Sequence, residues 1–436
     1  MAAFSLPSWL NRRPSAPQAW CRTALASETS LEACVDALQQ QLRGSTGADL
    51  ALVFVSASFA SDLPRLLPLL RQRLQAEHWL GCLGGGVVGT APGTAARELE
   101  QQPAVSLVLL RLPETRIQPF VIESQQLPDL DGPAEPWRAL LGDGAAAEGT
   151  SMLLWIDPSF SGINDLIAGL DYACPSASKV GGIATPHSAP HGSLLFEERV
   201  CSGAVGCLIE GAWGLDPVVA QGCRPIGPVF EVEQAQRNVV LELSEGNRRN
   251  TPVAALQAIL TDLSPAEREL VKHSLFLGVG RNSFSLESGS EQGTSAFLVR
   301  NLVGVDPRNG AVAVAERMRV GQQVQFQLRD GEASRQELRQ LLVRQQHRQP
   351  EPLAALLFAC LGRGSGLYGH ADGDVGLCQE RFPDLPVTGA FCNGEIGPVA
   401  GTTHLHGYTA SWAFVVPRQA AAPDQPAATS GCEELP

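Results

Sequence analysis

No stretch of this 436-residue chain reads as a membrane span, a zinc ribbon or a disulfide framework. No run approaches the ~18 consecutive apolar residues needed to cross a bilayer. Eleven cysteines are scattered singly, without a C-x-x-C pair or the spacing of a zinc site. Several sit in apolar runs, as Cys82, Cys207 and Cys360 do, where free thiols act as small hydrophobes. An odd number of such thiols fits a reducing compartment, so a cytoplasmic protein is expected. Positive charge is in deficit: 32 Lys and Arg against 45 Asp and Glu give a net charge of −13 and a pI near 5.1. A diffuse negative field repels phosphates, which speaks against partners such as duplex nucleic acid or anionic membrane. The first 27 residues hold no acid but include Arg12, Arg13 and Arg22, a faint likeness to an organelle transit peptide. Trp20, however, already opens a strand-like run. Residues 1–19 are therefore expected as a flexible leader, and the Ala-, Pro- and Gln-rich residues 419–436 as a disordered tail.

Apolar residues make up 44% and charged residues 18%, enough material for more than one core at this length. A turn-forming segment, Gly222 to Gly227, divides the chain into expected domains 20–225 and 226–418. An internal repeat organises both. Apolar strands at 50–56, 151–156 and 353–360 are each followed by a helix and then by glycines at Gly84, Gly181 and Gly389. Phe54 to Gly84 spans 30 positions, Leu154 to Gly181 spans 27 and Phe358 to Gly389 spans 31. The spacing predicts one strand–helix–strand–strand unit used three times. Capping signals predict helices after Thr29, Ser264 and Ser334, and alternation predicts strands at 311–314 and 324–328. The fold class is mixed α/β: two domains, each a twisted mixed sheet flanked by helices.

Chemistry concentrates between Leu353 and Val416. A strand ends in Cys360, a glycine-rich turn carries Arg363, and His370 and two aspartates follow before a short helix. Asn393 and Glu395 flank Gly394, and a last strand is read with His404, His406 and Thr409 along it. Arg363 suits a ligand carboxylate or phosphate, and Glu395 suits an ammonium group. Asn393, His404, His406 and Thr409 would supply orienting hydrogen bonds. Gly364 to Gly369 offers backbone N–H groups to a small anion. Cys360 with His370 as base is the enzymatic alternative. A metal on His404, His406 and Glu395 is less economical than a polar, metal-free pocket. Gly84 to Gly89 fits a dinucleotide fingerprint but lacks the helix that must follow it. Asp157 and Lys179 read as solvated loop residues.

The third unit resembles the C-terminal domain of the FIST family. The resemblance rests on the strand into Cys360, Gly362-Arg363-Gly364, Asp374 opening a helix, Gly394-Glu395-Ile396-Gly397-Pro398, and the closing His406 and Thr409. The first unit, with ADLALVFVSASF and the glycines at 84–86, is similar to the FIST N-terminal domain. The resemblance implies a cytoplasmic sensor of small ligands, with amino acids as proposed ligands. It also implies a role in signal transduction through a separate protein partner, since no kinase, receiver or F-box segment is visible. Some bacterial relatives use haem, which would fall to His370, His404 or His406 here; no C-x-x-C-H attachment is present.

Overall fold

The computed structural model describes residues 18–142, 149–280 and 297–418. The expected leader up to residue 17 and the expected tail from 419 lie outside the described residues. The three apolar strands singled out in the sequence converge at the centre of the molecule. Phe54, Trp155 and Phe358, one from each, sit with ring centroids 5.9 Å apart in all three pairs. Tilted and edge-on packing of this kind favours the aromatic quadrupoles over face-to-face stacking.

The chain reaches this centre three times. In the first passage come β1 (Trp20–Ala26), α1 (Leu31–Gln41), β2 (Ala48–Ser56), α2 (Leu63–Arg71), β3 (Ala76–Gly84), the hairpin β4 (Gly86–Thr90) and β5 (Ala96–Glu100), and β6 (Val105–Arg111). The second has β7 (Thr115–Ile122), α3 (Glu135–Ala139), β8 (Ser151–Ile156), α4 (Ile163–Ala173), β9 (Ser178–Ile183), the hairpin β10 (Leu194–Phe196) and β11 (Arg199–Cys201), and β12 (Ala204–Gly211). The third opens with β13 (Trp213–Ala220) and is then interrupted. The interruption comprises β14 (Cys223–Pro225), β15 (Phe230–Gln236), β16 (Val239–Glu245), β17 (Arg248–Asn250), α5 (Pro252–Asp262), α6 (Pro265–Ser274), β18 (Leu275–Gly280), β19 (Phe297–Asp306), β20 (Ala311–Val314) and β21 (Gln323–Arg329). It resumes with α7 (Gly331–Arg348), β22 (Ala354–Cys360), α8 (Gly364–Tyr368), α9 (Gly373–Arg381), β23 (Val387–Cys392), the hairpin β24 (Glu395–Val399) and β25 (Thr402–His406), and β26 (Ala410–Pro417).

Three six-stranded sheets share one order and one set of directions: β1-β6-β2-β3-β10-β11, β7-β12-β8-β9-β24-β25 and β13-β26-β22-β23-β4-β5. Only the central pairs β2–β3, β8–β9 and β22–β23 are parallel. Each hairpin leaves its own passage and completes another sheet. The hairpin β10–β11 joins β3, β24–β25 joins β9, and β4–β5 joins β23. The third sheet thus draws strands from both sides of residue 225. The two sequence domains are interleaved rather than set side by side.

The inner faces of the sheets form one shared apolar core around the aromatic trio. Their outer faces are covered by helices: α1 and α2 on the first sheet, α3 and α4 on the second, α7 and α9 on the third. The interruption is a separate antiparallel unit in which β15, β16, β20, β19, β18 and β21 pair around a closed ring with its own core. Closure leaves that ring without a free edge.

Local signals placed most helices, with two shifts. The cap of α1 is Ser30, whose side chain accepts from Ala33 N, rather than Thr29. Ser264 caps α6 in a full capping box with Glu267, as read. The cap of α7 is Asp330, and Ser334 lies inside that helix, fully buried and donating to Gly222 O. Asp157 and Lys179 are 3% and 1% exposed rather than solvated. Lys179 pairs with Asp171 at 2.7 Å and donates to the carbonyls of Cys174 and Ala177, which satisfies its buried ammonium.

One backbone contact recurs in every sheet. A Cβ at Gly81, Gly181 or Gly389 would lie 1.8 Å from the carbonyl oxygen of Val53, Leu154 or Leu357 across the parallel pair. Gly81→Ala should therefore lower stability by roughly 1–3 kcal/mol or more, as overpacking against immobile backbone does. Gly366→Ala, with nothing within 4 Å of the added carbon, should be nearly neutral. Urea denaturation of both variants checks this, and equal midpoints would refute the close-approach argument.

Candidate functional site

Parallel strands of a sheet end together, and loops that follow them open on the same side. Here β22 ends at Cys360 and β23 at Cys392, which face each other in register. Asn393 N donates to Ile183 O and Leu361 N to Cys392 O, so the two ends are tied down. Beyond them lies a cavity of about 640 Å³. Cys360, Cys392 and Asn393 line it, together with His406 at the end of β25, Tyr408 from the turn after it, Arg300 and Asn301 from β19, and Asn164 from the first turn of α4. The cavity therefore lies where the third sheet, the closed ring and the second passage meet. A second cavity of about 740 Å³ lies between the β4–β5 turn and residues 383–386, and its walls include neither Cys360 nor Glu395.

The expected residues divide into three groups. Cys360, Asn393 and His406 line the cavity. Glu395, Arg363, Thr409 and His404 are buried and are not part of its lining. His370 is exposed, with Nδ1 at Ala371 O, and is not brought to Cys360. The strand expected to carry His404, His406 and Thr409 together stops at His406. Tyr408 then turns the chain at a φ of 63°, and Thr409 precedes β26.

Arg363 has no exposed surface. Its guanidinium grips Asp374 through Nε at 2.8 Å and Nη2 at 2.6 Å, meets the Tyr368 hydroxyl at 2.6 Å, and donates to Tyr408 O at 3.2 Å. Tyr368 in turn donates to Asp374 at 2.7 Å. Such bidentate pairing meets the needs of a buried cation. The glycine-rich turn expected to hold an anion is the short helix α8, and its Ser365 N–H goes to the carboxylate of Glu100. Asp374 lies in the first turn of α9, where Glu98 accepts from Asp374 N and Val375 N at 2.9 and 2.8 Å. The hairpin from the first passage thereby caps helices of the third.

Glu395 occupies an unusual slot. On β3, β9 and β23, the residue after the recurrent glycine is Cys82, Gly182 or Ala390, and its partners on the incoming hairpins are Leu194, Glu395 and Val87. All three partners have no exposed surface. Where two hairpins place an aliphatic residue, the third places a carboxyl. Burial raises its pKa well above the ordinary carboxyl value, because taking the group out of water disfavours its charged form. Oε2 accepts from Thr409 N at 3.0 Å, the Cys360 thiol lies against the group, and Oε1 has no hydrogen-bond partner. Burial pushes the Cys360 thiol up to about 11, reinforced by Glu395 and opposed by the N–H of Gly362, which reaches its Sγ at 3.4 Å.

Tyr408 is held from the ring side: Arg329 lies 3.9 Å over its aromatic face and Phe276 packs on it at 5.2 Å. Arg300 donates to Glu316 at 2.5 Å and to Leu405 O at 2.6 Å. Arg300, Asn301 and Asn164 gave no sequence signal, because none lies within the motif-bearing segment. His406, the one histidine among the described lining residues, places Nε2 on Gly397 O at 3.0 Å, so that nitrogen is engaged rather than offered to a haem iron. Among the described residues no group of three or more His, Cys, Asp or Glu has the geometry of a metal site. No described helix is long and apolar enough to cross a membrane.

Comparison with known proteins agrees with this layout. Residues 49–245 match the family model of the FIST N domain, and residues 255–398 that of the FIST C domain. An uncharacterized protein of Mycobacterium tuberculosis is 33% identical over 392 residues, covering 87% of this chain and 94% of its own length. Another, from Mycobacterium bovis, is 32% identical over 407 residues, covering 91% of this chain and 97% of its own length.

The buried acids behind the cavity make stability depend on pH. Burial raises Glu98 from 4.5 to about 8, helped by the charges of Asp374 and Asp372, and raises Glu337 from 4.5 to about 7. In this range the folded protein keeps protons that the unfolded chain has released. Stability should therefore fall as pH rises from about 5 to about 8, by up to about 1.4 kcal/mol per pH unit for each group. Glu98→Gln should flatten that slope. Denaturation midpoints at pH 5 and pH 8 measure it, and an unchanged slope would count against a protonated Glu98.

Proposed function

This chain belongs to the family of proteins that join a FIST N to a FIST C domain, and on that premise we propose that it is a sensory protein whose cavity beyond β22 and β23 binds a small carboxylate, amino acids included. FIST domains are taken as sensory, small-ligand-binding domains. The observation that carries the finer reading is the character of the walls. Arg300, His406 and the carboxamides of Asn164, Asn301 and Asn393 line the cavity, and none of the described lining residues is an acid, in a chain of net charge −13. A volume of about 640 Å³ suits a small metabolite. Arg300, rather than Arg363, is the cation proposed for the ligand carboxylate: each already meets an acid, Arg300 at Glu316 and Arg363 at Asp374, but Arg300 lines the cavity and Arg363 does not.

A sensor fits the site better than an enzyme. The candidate nucleophile is a thiol pushed up to about 11, and the proposed base His370 is exposed and not part of the lining. Glu395 serves in this reading as a neutral hydrogen-bonding group behind Cys360 and Thr409 rather than as an anion for an ammonium ligand. Signalling through a separate protein is part of the same proposal, and the cavity is linked by a hydrogen-bonded chain to the first passage. Tyr408 O receives Arg363, Arg363 holds Asp374, and the backbone of Asp374 donates to Glu98 on the hairpin of the first passage. A cytoplasmic setting is consistent with the free cysteines among the described residues.

Native mass spectrometry of the purified chain, followed by thermal-shift screening of amino acids and other small carboxylates, tests the reading. With the carboxylate so identified, Arg300→Gln should weaken binding about ten- to a hundredfold, the loss of a charged hydrogen bond of roughly 1.5–3 kcal/mol. A screen with no stabilising carboxylate, or Arg300→Gln binding as tightly as the parent, would overturn it.

A further inference from the structure

The two thiols at the floor of the cavity remain unused by that reading. Cys360 and Cys392 are opposite each other on adjacent parallel strands. Two residues earlier the same strands pair Phe358 with Ala390, both in the shared inner core, so period-two alternation turns both thiols toward that same face. Strands in a sheet run ~4.8 Å apart, inside the ~4.4–6.8 Å between Cα atoms that a disulfide spans. Cys360 is half-buried and Cys392 fully buried, and both border the cavity, so a small molecule there meets the Cys360 thiol, with Cys392 opposite it on the next strand. A second observation marks the spot as more than packing. The Glu395 carboxyl, in a slot where Val87 and Leu194 are aliphatic, lies against Cys360 with Oε1 unpartnered and fully buried.

We propose that Cys360 and Cys392 form a redox-active dithiol, which a hydroperoxide admitted to the cavity oxidises to an intramolecular disulfide. In the first step the Cys360 sulfur attacks one peroxide oxygen. The O–O bond breaks, an S–O bond forms, and the other oxygen leaves as alcohol or water with the thiol's proton. In the second step the Cys392 sulfur attacks that sulfenic acid. The S–S bond forms, the S–O bond breaks, and water leaves with the proton of Cys392. Two electrons pass from the two sulfurs to the peroxide, and no other reactant is needed. The thiolate is the attacking form and burial disfavours it at Cys360, which makes this attack slow, as it does for nucleophilic catalysis, so the pair answers sustained exposure rather than brief contact. The inference uses the cavity but not its carboxylate ligand, so either can fail alone.

The test treats the full chain, freed of reductant, with hydrogen peroxide, blocks remaining thiols with N-ethylmaleimide in denaturant, and maps peptides by mass. The expected result is a Cys360–Cys392 crosslink, two hydrogens lighter than the dithiol and reversed by dithiothreitol. Full labelling of both cysteines would overturn the proposal. So would a crosslink of Cys392 to Cys82, its other thiol neighbour in the core. Cys360→Ser should leave Cys392 fully alkylatable after peroxide treatment. Oxidation of Cys392 at the parent rate in that variant would equally refute the pair.

Discussion

The ion pair between Arg363 and Asp374 is the contact on which the site depends. Neither residue has any exposed surface, and among the described residues each is met by the other and by Tyr368, with Tyr408 O accepting from Arg363. A buried pair of this kind adds little net stability, but loss of one partner leaves an uncompensated charge costing about 3–5 kcal/mol. Its value here is positional. One arginine fixes the turn after β22, the start of α9 and the carbonyl of the cavity-lining Tyr408 in a single arrangement.

That arrangement reaches across the chain through the β4–β5 hairpin. Glu98 caps α9, Glu100 takes the first free N–H of α8, and Arg97 pairs with Asp372 at 2.7 Å. Asp372 is held at a φ of 63° and also accepts from Glu98 N at 2.6 Å. Three ionisable residues of one short strand, Arg97, Glu98 and Glu100, are thus committed to the segment that follows β22. Residues matched to the FIST N domain thereby hold in place a segment matched to the FIST C domain.

Much of the fold was legible because apolar runs, glycines and caps act locally. The strand into Phe54, the strand into Phe358 and the Ser264 box owe nothing to distant residues. What the sequence concealed was non-local. Ser334 looks like a cap, but Asp330 wins the helix start and Gly222 O captures the serine hydroxyl. Arg363 looks free for a ligand, but Asp374, eleven residues later, takes it. Arg300 and Asn164 reach the cavity from strands and helices with no motif of their own. The segment that carries the chemistry was visible, while its partners depended on a topology that spacing alone does not reveal.

The exchange of hairpins has a consequence for how the protein is made. Thr90 on β4 hydrogen-bonds Val387 on β23, and the two are 297 positions apart. At ~5–20 residues per second, a ribosome finishes β23 roughly 15–60 s after β4 has emerged. For that interval the hairpin can pack on the first sheet but lacks β23, the strand it pairs with. An unpaired strand edge is a template for the wrong partner. The nascent chain must therefore wait, shielded by chaperones or by transient pairing of its own, until its last quarter arrives to close the ring of sheets.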